Sequence, residues 1–106
     1  MIIVNLTPHP VSVRRADGTF LSLPKCNNPA RCVAVFQDVA TVDGIAVKRQ
    51  MFGAVQDLPD PQDGTLYLVS LVVAQASKHR SDLVSPGAAI RDANGVQIGC
   101  DGLSVV

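Results

Sequence analysis

An amide, a hydroxyl and an imidazole stand within a five-residue span in Asn5-Leu6-Thr7-Pro8-His9, which follows the apolar run Met1-Ile2-Ile3-Val4 and precedes Pro10. Asn5 and Thr7 can orient a polar ligand, while the imidazole of His9 can serve as acid, base or anion contact. The same residues also suit a plain turn, because Asn and Thr side chains bond turn backbone and Pro8 and Pro10 fix its shape. A second group is His79-Arg80-Ser81-Asp82, with Arg91-Asp92 further along. The guanidinium fork of Arg80 or Arg91 matches phosphate or carboxylate, but Arg80 and Asp82 can equally pair with each other or with Arg91 and Asp92 at a solvated helix end. The candidate ligand-binding set is therefore Asn5, Thr7, His9, Arg80, Asp82 and Arg91. A catalytic alternative uses His9 as general base and Asp82 as its orienter, in a small hydrolase or transferase.

Other chemistries lack their residues. Cys26 and Cys32 are five residues apart, without a Cys-x-x-Cys arrangement or a histidine pair, so no metal site is expected. No G-x-S-x-G, phosphate-loop or dinucleotide pattern occurs, and the eight glycines are scattered singly, so no cofactor is implied. With three Phe, one Tyr and no Trp, the aromatic platform that stacks single-stranded bases is missing. Nine basic and nine acidic residues cancel, which disfavours double-stranded DNA as a partner.

The elements that must position these groups read as short strands. Val, Ile, Leu and Thr dominate segments separated by Gly, Pro, Asp and Asn. Strands are expected over Ile2 to Leu6, Val11 to Arg15 and Thr19 to Leu23, the last two joined by a two-residue turn at Asp17-Gly18. Pro24 to Arg31 reads as a loop, Cys32 to Phe36 as a strand, and Val39 to Val42 with Ile45 to Phe52 as a hairpin about Asp43-Gly44. The alternation of Lys48 and Gln50 against Val47, Arg49 and Met51 is imperfect, which leaves the register of that hairpin open. Gln56 to Gly64 is a Pro-rich loop and Thr65 to Val69 a buried strand. A helix capped by Ser70 is expected over Leu71 to Arg80, with Lys78, His79 and Arg80 against its negative end. Pro86-Gly87 should break the chain before a hairpin of Ala89 to Asp92 and Val96 to Cys100.

Length and composition set the frame. The 106 residues suffice for one domain, 1–106, and 47% hydrophobic with 17% charged residues excludes disorder. The longest apolar stretch, Leu66 to Ala74, is about half a membrane span. A soluble protein is expected, with no membrane partner. The first residues carry no charged or long apolar leader, and three cysteines cannot all pair, so a cytoplasmic location with reduced thiols is expected. Zero net charge on so apolar a small domain favours self-association, and a homo-oligomer is expected.

Several of these segments together resemble a family of small uncharacterised bacterial and bacteriophage proteins. They are the Asn5-Leu6-Thr7-Pro8-His9 opening, Asp43-Gly44-Ile45-Ala46-Val47, Phe52-Gly53-Ala54-Val55 with Leu58-Pro59, Leu66-Tyr67-Leu68-Val69-Ser70 running into Val73-Ala74-Gln75-Ala76, Arg80-Ser81-Asp82-Leu83 and Arg91-Asp92. The resemblance implies a phage or mobile-element context and makes Asn5, Thr7, His9, Ser70, Arg80, Asp82, Arg91 and Asp92 the shared polar positions. Lys25 to Asn28 departs from it, since the family pattern is shorter there and lacks cysteine.

The fold expected is of the α+β class and mainly β: a small barrel or sandwich of six to eight short strands, with one short helix near residues 70–80 covering an open end or edge. The function expected is non-catalytic binding of a small anionic ligand or a protein partner. The enzyme above and a structural or assembly component of a phage particle are the alternatives.

Overall fold

The computed structural model describes every residue from Met1 to Val106. Strand makes up 54% of the chain and helix 6%, so the protein is the mainly β fold that its composition implies. Three short strands, β1 (Ile2–Asn5), β2 (Val11–Arg14) and β3 (Phe20–Leu23), lead into two long ones, β4 (Arg31–Val42) and β5 (Ile45–Gln56). Then follow β6 (Thr65–Leu68), the helix α1 (Leu71–Ala76), β7 (Leu83–Arg91) and β8 (Gln97–Ser104).

Six strands form one sheet in the order β1-β6-β7-β8-β2-β3, curled into a nearly closed barrel. Its ends are bridged by the segment after β3: Cys26 N donates to Thr7 O and Ala30 N to Leu6 O, both at 3.0 Å. Backbone that would otherwise stand unpaired at an edge is thereby satisfied. Val13, Leu23, Leu68, Val84 and Cys100 form the core within the sheet, while Leu6, Tyr67, Val69, Val73, Ala74 and Leu83 form a second core beneath the helix. Successive side chains of a strand point to opposite faces, so Leu68 enters one core and Tyr67 and Val69 the other. Burial of both faces explains why Leu66 to Val69 is apolar without alternation.

The helix is shorter than its sequence promises. Ser70 caps it by accepting from Val73 N at 3.3 Å, but it ends at Ala76, not at Arg80. Ser77 N bonds Ala74 O and Arg80 N bonds Ser77 O, which turns the chain away, so no basic residue lies in the last helical turn. Strand β7 likewise runs through Pro86-Gly87, where a break was expected. Its pairing with β6 ends at Val84, so on that side Pro86 sits at an edge and needs no donor. Gly87 is required there because a side chain would collide with the carbonyls of Asp101 and Gly102 on β8. The turn after β2 also spans three residues, Ala16-Asp17-Gly18, rather than two: Arg15 N bonds Thr19 O and Gly18 supplies the positive φ of 88°.

The largest departure lies in β4 and β5, which the sequence suggests as interrupted short strands. They are continuous, 12 residues each, and pair only with each other, with bulges at Val39 and at Gly53-Ala54 that absorb the irregular spacing. At about 3.3 Å per residue this ribbon is about 40 Å long. The molecule measures 52 × 40 × 24 Å with a radius of gyration of 16.5 Å. A rounded domain of this length would have about 13 Å. The ribbon is an arm, anchored at its base, where α1 packs against it and the Cys32 thiol lies 3.9 Å from Val72 O.

Candidate functional site

The polar corner after β1 is a fastening. Asn5 Nδ2 donates to His9 O at 2.9 Å and to Pro24 O at 3.0 Å, while Asn5 Oδ1 accepts from Thr7 N at 2.9 Å and Thr7 Oγ1 at 2.7 Å. All four hydrogen-bonding positions of this amide are thus filled from within the chain. Thr7 Oγ1 also lies 3.0 Å from His9 O, and both Asn5 and Thr7 are buried. The bond to Pro24 ties the end of β1 to the segment that closes the barrel. His9 contributes its carbonyl to this network and leaves its imidazole exposed.

Arg80 and Asp82 form a separate unit. Arg80 Nε and an Nη of the same guanidinium donate to the two Asp82 oxygens at 2.8 and 2.7 Å, with only 13% and 14% of the two side chains exposed. A further hydrogen bond runs from Arg80 to Pro59 O at 3.0 Å, tying down the Pro-rich loop. The Arg80 hydrogen bonds hold the Asp82 carboxyl below its ordinary pKa, and the same bonds raise that of Arg80. Arg91 is engaged elsewhere, donating to Gly95 O at 2.9 Å across its hairpin turn, while Asp92 accepts from Asn94 N and Val96 N.

The six candidates therefore fall into three places. Asn5, Thr7 and His9 are together; Arg80 and Asp82 are together; Arg91 joins neither group by hydrogen bond or ion pair. His9 lines a groove of about 990 Å³, whereas Arg80 lines a different cavity of about 350 Å³ with Lys78, Leu83 and Val106. Asp82 orients Arg80, not His9. No three His, Cys, Asp or Glu side chains converge as a metal site would require, and the three cysteines are free.

The His9 groove has a distinctive lining. Pro8, Pro10, Val11, Leu71, Pro86 and Ile98 give it apolar walls, and Ser12, Ser70, Ser85, Ser104 and Gln97 add hydroxyls and an amide. No Asp, Glu, Lys or Arg lines it, and neither does any residue of the arm.

The arm is the feature that sequence reasoning missed. None of its 24 strand residues is buried, and Phe36, Ile45 and Phe52 are 60%, 66% and 51% exposed. Register and the two-residue period place Val35, Ala40, Val42, Ile45, Val47 and Met51 on one face, and Ala34, Phe36, Ala46 and Phe52 on the other. Both faces thus carry exposed apolar side chains, interspersed with Gln37 and Arg49 on the first and with Asp38, Thr41, Lys48 and Gln50 on the second, and both outer edges carry unpaired backbone groups. The adjacent pairs Val35-Phe36 and Met51-Phe52 carry the signal, because bulky apolar neighbours in one strand require cover on both faces. Nothing in the chain supplies that cover beyond the base.

No helix is long and apolar enough to cross a membrane. No protein-family model, curated protein or solved structure matches the chain. Its class is given by its own geometry: a small barrel-like domain that projects a long apolar β-ribbon.

Proposed function

We propose that this chain is a non-catalytic binding module of phage or mobile-element type, acting in the cytoplasm, whose ligand is a protein surface engaged by the β4–β5 arm. The observation that carries this reading is the exposure of Val42, Ile45, Phe36 and Phe52 on a ribbon with no covering element. An isolated two-stranded hairpin is marginal in water, and each Å² of apolar surface left wet forgoes roughly 25 cal/mol. A partner that covers the arm recovers that free energy and pairs its edges.

A protein partner is favoured over a small anion by the disposition of the cations. Arg80 is bonded to Asp82 and Pro59, Arg91 to Gly95, and the groove that holds His9 has no formally charged lining. An assembly role agrees with the same arm.

The test is photo-crosslinking in cells, with a benzophenone side chain at position 36 or 45 and, as a control, at exposed Asp63. Discrete protein adducts at the arm positions alone are expected. Adducts absent from the arm, or equal at Asp63, would refute the reading.

A further inference from the structure

We infer that the groove beside His9 is a binding site for a small uncharged molecule with a carboxamide or lactam edge on an apolar ring, a site separate from the arm. The decisive group is Ser85. Only 3% of this residue is exposed, it lines the groove, and its hydroxyl makes no hydrogen bond within the chain. Every side-chain nitrogen or oxygen sealed from solvent does have a partner, so the Ser85 hydroxyl keeps its remaining surface where the groove reaches it. Any molecule that fills the groove strips water from that hydroxyl, and leaving it unbonded then costs free energy. The occupant must therefore bring a hydrogen-bonding group to it.

Register sets a second hydroxyl beside the first. Ser104 on β8 is the direct partner of Ser85 on β7, so the two side chains stand on one face with β carbons about 5 Å apart. Ser104 lines the same groove, and its hydroxyl is likewise unbonded within the chain. Each hydroxyl can donate one hydrogen bond and accept another. Two of them side by side complement an edge that presents an N–H next to a C=O, as a carboxamide or lactam does.

The rest of the lining selects against charge. No Asp, Glu, Lys or Arg lines the groove, so an ionised group that entered would give up its hydration without meeting one of them. The His9 imidazole is exposed, where water and salt screen it. Pro8, Pro86 and Ile98 offer apolar surface for a ring. At about 990 Å³ the groove lies within the range of roughly 300 to 1,000 Å³ that takes one small organic molecule.

Benzamide, benzoate and benzylamine share a ring and differ in charge, so titrating each into the ¹⁵N-labelled full chain tests the inference by amide chemical shifts. Benzamide should shift the amides of Ser85, Gly99 and Ser104 with a dissociation constant on the order of 1 mM, as suits so small a molecule. Benzoate and benzylamine should bind at least about 10-fold more weakly. Ser85→Ala and Ser104→Ala each remove one oxygen that is unbonded within the chain, so the fold should persist while benzamide binds about 5-fold more weakly. Groove amides unshifted up to the solubility limit of benzamide would overturn the inference. So would benzoate or benzylamine binding as tightly as benzamide, an affinity unchanged in Ser85→Ala, or shifts confined to arm amides between Ala34 and Phe52. Failure here leaves the arm as a protein-binding element, which the crosslinking experiment tests by itself.

Discussion

Leu68 and Ile45 are both apolar strand residues, yet the first has no exposed surface and the second is 66% exposed. Leu68 lies in β6, which is paired on both sides by β1 and β7 and covered on both faces. Ile45 lies in a ribbon with one neighbouring strand and no cover. The barrel therefore contains the reason for its own stability, whereas the arm holds the same kind of side chain without one. Apolar composition tells where surface must be covered. Topology tells whether the chain covers it itself.

Mutations that divide the two regions should do so by size. The largest effect is expected from Leu68→Ala, which removes a fully buried side chain and should lower global stability by about 3 kcal/mol in chemical denaturation. Ile45→Ala, by contrast, should leave that denaturation midpoint within about 0.5 kcal/mol of wild type, because the side chain it removes is 66% exposed. Equal losses of stability from the two changes would abolish the distinction.

Asn5→Ala should follow, at about 2 kcal/mol, because it unties the barrel closure and leaves the Thr7 amide and the Pro24 carbonyl without their partner, while the Thr7 hydroxyl keeps the His9 carbonyl. Amide exchange at Cys26 and Ala30 should accelerate with it, since those amides bond the chain beside the corner. Slow exchange there in Asn5→Ala would show that the barrel closes without the corner.

Asp82→Asn should cost about 1–2 kcal/mol at neutral pH through loss of the charged hydrogen bonds to Arg80. The Asp82 pKa is depressed by folding, so its contribution is fully present above the unfolded value near 3.9 and is lost as pH falls through the lower folded value. Wild type should therefore lose stability to acid more steeply than Asp82→Asn below about pH 4. Parallel acid limbs for the two proteins would remove this ion pair from the barrel's stability.

A smaller and local effect should come from Gly44→Ala. Asp43 and Gly44 turn the arm with φ of 51° and 76°, a conformation in which a Cβ costs about 1 kcal/mol. The cost should be felt by the arm alone, as faster amide exchange in β4 and β5 with no change at Leu68 or Val69. A matching change in the barrel would mean that the two regions unfold as one unit.

The barrel was legible because its signals are local. Ala93-Asn94-Gly95 marks the turn between β7 and β8, Ser70 marks the helix start, and the apolar run at Leu66 to Val69 marks a strand covered on both faces. The helix end was not legible, because Arg80 is drawn to Asp82 and Pro59 by contacts that helix propensity does not contain. Pro86 misled for a similar reason: whether a proline is tolerated depends on which neighbour strand is absent beside it. At the corner, Asn5 and Thr7 were found as polar residues that bond one another and the turn, but their link to Pro24 crosses 19 positions and has no sequence signature. The arm was hidden by its bulges. Val39 and Gly53-Ala54 break the two-residue period, so one continuous ribbon looks like fragments, and cover from outside the chain leaves no pattern of its own.

The most direct measurement is residue-resolved hydrogen exchange of the purified wild-type protein, with the arm amides between Ala34 and Phe52 read against those of Leu68 and Val69. The expected result is exchange of the arm well ahead of the barrel amides, because the ribbon has no covering element within the chain. Arm amides as slow as those of Leu68 and Val69, in a protein whose mass is that of a monomer, would contradict an arm left uncovered by its own chain.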